Sequence, residues 1–193
     1  QEDTRVVVGL DIGDRHSHVC ELDEQLEVEV ETRIRPSEAG LRKYFGKRDA
    51  LVVAIEVGTH SPWVSRLLSE LGHEVLVANA RKLRLIYGND RKSDRCDAEI
   101  LARVARMDRT RLSPITHRSE QRQASRTLLG ARDALVRART LLINQVRGSV
   151  KAMGGRMPAS ASTAFHGKRA FIPEQLREAL EPVMETIEQT SEQ

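Results

Sequence analysis

Three short apolar runs, VVVGL (6–10), LVVAIE (51–56) and HEVLVA (73–78), constrain this chain more than any other feature. Each is rich in β-branched residues and nearly unbroken, as strands covered on both faces are. Helical stretches separate them. SEAGLRKYFGKR begins at Ser37, which suits an N-cap, and a second helix runs from about Pro62 to Leu71 before Gly72 ends it. Between the first run and Ser37, residues 17–24 and 26–34 alternate at period two, as antiparallel strands do. The order is β-β-β-α-β-α-β-α, a meander followed by parallel crossovers. Right-handed crossovers place strands four and five on the far side of strand one, which becomes central.

Two of the buried-type strands end in a carboxylate, Asp11 and Glu56. A charge there is costly unless it is paired or binds a metal. Asp11 alone could simply shape an Asx-turn. Two such ends, adjacent at one edge of the sheet where α/β sites form, are harder to dismiss. A third signal is KSDRCDAEILARVAR (92–106), expected to be helical from Ser93 to about Arg106. Asp94 and Asp97 are three apart and share a face of its first turn. Carboxylates are favoured at a helix N-terminus, so Ser93 or Asp94 could be no more than a cap. Together Asp11, Glu56, Asp94 and Asp97 form an all-oxygen set of the kind that holds Mg²⁺ or Mn²⁺ for phosphoryl chemistry. Cys20 and Cys96 have no metal-like spacing and read as reduced thiols.

Charge is distributed unevenly. Residues 1–78 carry 9 basic and 15 acidic side chains, residues 79–156 carry 19 and 7, and residues 157–193 carry 3 and 6. A basic middle between acidic ends suits a polyanion such as nucleic acid. Aromatics make up 3%, too few for base-stacking platforms. No run is long enough for a membrane span, and the start lacks a signal-peptide layout.

The chain divides into a catalytic-type domain over 5–110 and a basic helical segment over 117–152. A mobile linker is expected over 153–172, and 173–193 reads as the start of a coiled coil. The long helix spaces Leu128, Leu135 and Leu142 by heptads. Its other faces carry Arg118, Arg122, Arg126, Arg132, Arg137, Arg139, Arg147 and Lys151, expected to contact nucleic acid. The last segment places Leu176, Leu180, Val183, Met184 and Ile187 on a stripe with little left to cover. It is therefore expected to seek a partner helix, with Pro182 kinking or dividing it.

GLDIG, AIEVGTH and KSDRCDAEILA, in this order, resemble the amino-terminal domain of DEDD-type transposases. These belong to the bacterial insertion-sequence family numbered one hundred and ten, related to the Piv-type DNA invertases. The resemblance spans roughly residues 5–152, and its KxDxxDAxxLA segment is the specific part. It implies an α/β fold that is RuvC-like, of the RNase H type, with a five-stranded mixed sheet and flanking helices. Asp11, Glu56, Asp94 and Asp97 match the four acidic motif residues. The resemblance further implies a metal-dependent transposase or recombinase acting on DNA, guided by a structured bridge RNA. Assembly as a homo-oligomer, dimer or tetramer, and a cytoplasmic, nucleoid-associated location are expected with it. The family continues into a second domain bearing a serine nucleophile, so this chain is expected to be a portion of such a protein.

Three rivals remain at this level. Actin-like kinases share the strand-hairpin core, but their second phosphate loop has no counterpart in this sequence. A Holliday-junction resolvase or RNase H-like nuclease would carry the same acids without needing the arginine-rich helix. A non-catalytic RNA-binding module would need the helix and leave the acids idle.

Overall fold

The computed structural model describes residues 5–79 and 94–192, excepting the side chains of Asp94 and Arg95. The basic stretch 80–92 and the expected helix start at Ser93 lie outside the described residues. The chain forms two compact units, Gln1–Arg118 and Ser119–Gln193.

The first unit is an α/β layer structure around one mixed sheet, as expected. Strands β1 (Val7–Ile12), β2 (Ser17–Leu22) and β3 (Val28–Ile34) form the antiparallel meander. Helix α1 (Glu38–Phe45) leads to β4 (Val52–Glu56), and α2 (Ser61–Glu70) leads to β5 (Glu74–Ala78). The sheet order is β3-β2-β1-β4-β5, with β4 parallel to both its neighbours, so β1 is the central strand. Helix α3 (Asp94–Met107) follows, then a 3₁₀ turn at Arg109–Leu112. This arrangement is RNase H-like.

Side-chain alternation sends each strand's residues to two cores. Val8, Leu10, Val53 and Ile55 face α1 and α2, packing with Leu41, Phe45, Val64 and Leu68. Val7, Val52, Ala54 and Leu76 face the other way, against Leu101, Val104 and Ala105 of α3. Ser37 caps α1 by accepting from the Gly40 N–H, and Gly72 at φ +91° reverses the chain after α2.

One charge is buried in the first core. Glu21 is 1% exposed and accepts from the Tyr44 hydroxyl and from both terminal nitrogens of Arg48, the Nη2 bond being 2.7 Å. The Arg48 guanidinium also lies 5.1 Å from the Tyr44 ring centre. Burial, then the carboxylate, push the Tyr44 phenol upward in pKa, and hydrogen bonding to Glu21 pushes Arg48 upward. The pair fixes the end of α1 to β2.

In the second unit, α4 (Glu120–Ala152) and α5 (Glu174–Glu192) form a hairpin. Leu180, Met184 and Ile187 are buried with Ile143, Val146 and Val150 of α4. The stripe expected to seek a partner helix is therefore covered inside the chain, because α4 is long enough to return alongside it. Residues 153–172, expected to be a mobile linker, carry a 3₁₀ segment at Ser162–Phe171 and place Met157, Phe165 and Ile172 in the same core. Helix α5 runs on through Pro182 and is not divided by it. The first half of α4 has no such cover: Leu128 and Leu129 are each about 70% exposed, as is Leu141 just past the helix midpoint.

Arg48→Met leaves the Glu21 carboxylate buried without its cation, which should cost the first unit about 3–5 kcal/mol in urea unfolding. A loss below about 1 kcal/mol, the range of an exposed pair, would contradict the buried role assigned to Glu21.

Candidate functional site

The site begins with a residue that has no side chain. A Cβ built on Gly9 of β1 would lie 1.8 Å from the Ala98 carbonyl oxygen and 2.8 Å from the Ala102 nitrogen. Both are backbone atoms of α3, so the helix lies directly on the strand. Ala98 and Ala102, with Cys20 and Leu22 of β2, keep that contact thin and apolar. Burial, followed by the nearby Glu99 charge, pushes the Cys20 thiol up to about 11. Cys20 is thus a packing residue, not a reactive one.

The direction of α3 follows from its contacts. Arg106, near its end, donates to the Arg5 carbonyl at 2.9 Å, at the start of β1. Its first turn therefore lies toward the other end of β1, where Asp11 stands. Gly9 and Asp11 are two apart and share the face that α3 crosses. Ala54 and Glu56 share that face on β4, since Ala54 packs against the α3 core. Leu10 pairs with Ile55, so Asp11 and Glu56 are the next neighbours along the two parallel strands.

Asp11 and Glu56 line one pocket of about 220 Å³ together with Asp14, His60 and Ser61. Both acids are half-buried, as is Asp97 on α3. Asp94 opens α3, and its side chain lies outside the described residues. Among the described residues, no three His, Cys, Asp or Glu side chains are grouped closely enough to hold a metal ion. The fold thus joins Asp11 to Glu56 and sets the first turn of α3, which carries Asp97, toward the same end of the sheet. The donors at this pocket are hard oxygens, which fit Mg²⁺ or Mn²⁺ better than a thiophilic metal.

The pocket holds groups that the sequence did not single out. The Trp63 indole N–H donates to His60 Nδ1 at 3.2 Å. Indole nitrogen only donates, so the ring proton of neutral His60 sits on Nε2, which is 3.0 Å from Asp14 Oδ1. Ser61, 1% exposed, donates to the Gly58 carbonyl at 2.9 Å, accepts from the Gly58 N–H at 3.0 Å and meets His117 Nε2 at 2.9 Å. Burial, with Arg66 adding, lowers the pKa of His117. The available signal was position, since DIGD and EVGTHS both follow strand ends.

In the second unit, Arg122, Arg126, Arg132 and Lys151 are exposed, as is Arg118 just before it. Arg137 is exposed but paired with Asp133 at 2.9 Å. Arg139 donates to the Thr190 carbonyl at 3.4 Å, and the Arg147 guanidinium lies 5.3 Å from the Phe165 ring centre. Those two side chains serve the hairpin's own packing. Among the described residues no helix is long and apolar enough to cross a membrane.

A family model described as "Transposase", that of DEDD transposases of the IS110 type, matches residues 8–153. The chain is 28% identical over 170 residues to a transposase for insertion sequence element IS1328 of Yersinia enterocolitica, covering 88% of this chain and 48% of that one. It is 31% identical over 141 residues to a family 20 transposase of Pseudomonas aeruginosa, covering 73% and 38% of the two chains. It is also 35% identical over 112 residues to a transposase of Sinorhizobium fredii, covering 58% and 28%. The chain spans about half the length of these relatives, or less.

Gly9→Ala forces α3 off the strand, because backbone atoms cannot move aside as a side-chain tip can. The substitution should destabilise the first unit by about 2 kcal/mol or more, within the upper range for overpacking. A change below about 0.5 kcal/mol in urea unfolding would show that α3 does not rest on Gly9.

Proposed function

The chain belongs to the DEDD transposase family of the IS110 type, and from that membership we propose that it is the catalytic portion of a metal-dependent DNA transposase guided by a structured RNA. The observation that carries the reading is the placement of Asp11 and Glu56. They stand side by side at the ends of the two central parallel strands, in one pocket, on the face that α3 crosses.

Two carboxylates this close repel each other, and a divalent cation between them relieves that repulsion. Asp11 and Glu56 are assigned to hold Mg²⁺ or Mn²⁺, with Asp94 and Asp97 from the first turn of α3 supplying further oxygens. A bound ion would place positive charge beside a DNA phosphodiester and make an attacking oxygen easier to deprotonate. The chain's own part is to orient these groups. Trp63 holds the His60 imidazole with its Nε2–H toward Asp14, and the Ser61–Gly58 bonds, with His117 behind them, fix the loop after Glu56.

Guidance by RNA is assigned to the exposed arginines of α4. Guanidinium groups grip phosphate oxygens bidentately, and Arg122, Arg126 and Arg132 point to solvent. Self-association is assigned to the uncovered apolar residues of α4, Leu128 and Leu129 beside those arginines and Leu141 past the helix midpoint.

Calorimetric titration of Mn²⁺ should show saturable binding that weakens by more than roughly tenfold in Asp11→Asn, a loss seen even for outer-shell partners. Equal isotherms for the two proteins would remove the metal site. For the RNA, Arg122→Glu with Arg126→Glu should weaken binding of a hairpin-rich RNA from the element's own flank. The salt slope should fall by about one for each phosphate that the variant no longer grips. Unchanged affinity and slope would take that helix out of RNA recognition.

A further inference from the structure

The strand register extends the acid pair into a longer row. Asp11 on β1 is directly opposite His18 on β2, and His18 is directly opposite Arg33 on β3. Residues opposed in register project from the same face of a sheet. The neighbouring row identifies that face: Gly9 pairs with Cys20, and Cys20 with Glu31, while Gly9 and Cys20 both meet α3. Glu56, Asp11, His18 and Arg33 therefore form one line across four strands, on the α3 side of the sheet. At strand spacings of about 4.8 Å, the line is roughly 14 Å long.

Its far end is the exposed one. Glu56, Asp11 and His18 are half-buried, and Arg33 is exposed. Arg33 has no carboxylate partner among the described residues. Arg42 binds Glu38 and Glu70, and Arg48 binds Glu21, while Arg35 and Lys43 line one groove with Arg33 and add to the positive charge at this edge. A nucleic-acid strand brought to two carboxylates meets repulsion from both. A cation on the same face, two strands away, supplies attraction without neutralising the acids themselves.

We propose that this row is a backbone-binding track. Arg33 grips a phosphate of the strand being processed, beside the phosphodiester held at Asp11 and Glu56, and His18 lines the path between them. The proposal rests on the reading of Asp11 and Glu56 as metal-holding acids. Arg33 is a binding residue on the sheet, separate from the arginines of α4, and its ligand is the phosphodiester backbone of DNA.

The test compares wild type, Arg33→Gln, Arg33→Lys and Lys47→Gln for binding of a short labelled DNA duplex. Binding is measured with Ca²⁺ present across a salt series, and Mn²⁺ titration is run on every protein and on Asp11→Asn. Arg33→Gln should lose roughly tenfold in affinity, the lower end for a charge-assisted bond. Its salt slope should fall by about one while Mn²⁺ binding stays unchanged. Arg33→Lys should restore the slope, and Lys47→Gln, at an exposed position after α1, should behave as wild type. In a double-mutant cycle, Arg33→Gln and Asp11→Asn should be non-additive, because both act on one bound strand. Unchanged DNA affinity and slope in Arg33→Gln would overturn the track. Additive losses would overturn its link to the acids. If Asp11→Asn binds Mn²⁺ like wild type, the metal reading fails by itself, visible independently of any DNA result.

Discussion

The contact on which the first unit depends is the seat of α3 on Gly9. A helix normally stands about a side chain's width above a sheet. Here a glycine and two alanines bring helix backbone onto strand backbone. The close approach lets the first turn of α3 share the face of Asp11 and Glu56. Arg106 and Arg103 hold the helix along its length: one donates to the Arg5 carbonyl, the other to the Leu26 carbonyl at 2.7 Å. The Leu26 position is itself demanding, with φ +68° in a non-glycine residue, and the Asp23 side chain supports that turn by accepting from the Gln25 and Glu27 N–H groups. Helix, hairpin turn and central strand thus form one mechanical assembly behind the acids.

The second unit solves a different problem. A 33-residue helix has more apolar surface than a short partner can cover. The return of α5 and the insertion of Phe165 bury its C-terminal half and leave the N-terminal half bare. The bare half carries most of the unpaired arginines. Charge and exposed leucines therefore coincide on the same turns of α4, which suits a segment that meets both a polyanion and another helix.

The strands and the acid pair were legible in the sequence because burial on both faces demands unbroken β-branched runs. A carboxylate that ends such a run is conspicuous. The role of Gly9 was not legible, since a glycine inside an apolar run reads only as a weak spot in a strand. The core around Phe165 was hidden because one aromatic among small polar residues carries no periodicity. The alignment of Arg33 with His18 and Asp11 was hidden for a sharper reason. The β2–β3 pairing shifts register between Glu21 and Leu22, so counting from the turn assigns the wrong partners. The His60–Trp63–Asp14 set joins a helix to a strand-end loop 46 residues away, a contact that no local spacing encodes.

The proposed chemistry requires one strand pair and one helix to bring their carboxylates to a single cation. Anomalous diffraction at the manganese edge, from crystals grown with Mn²⁺, tests it directly. An anomalous peak is expected between Asp11 and Glu56, with at least one of Asp94 and Asp97 among its ligands. Manganese bound elsewhere, or bound at Asp11 and Glu56 with both acids of α3 turned to solvent, would contradict it.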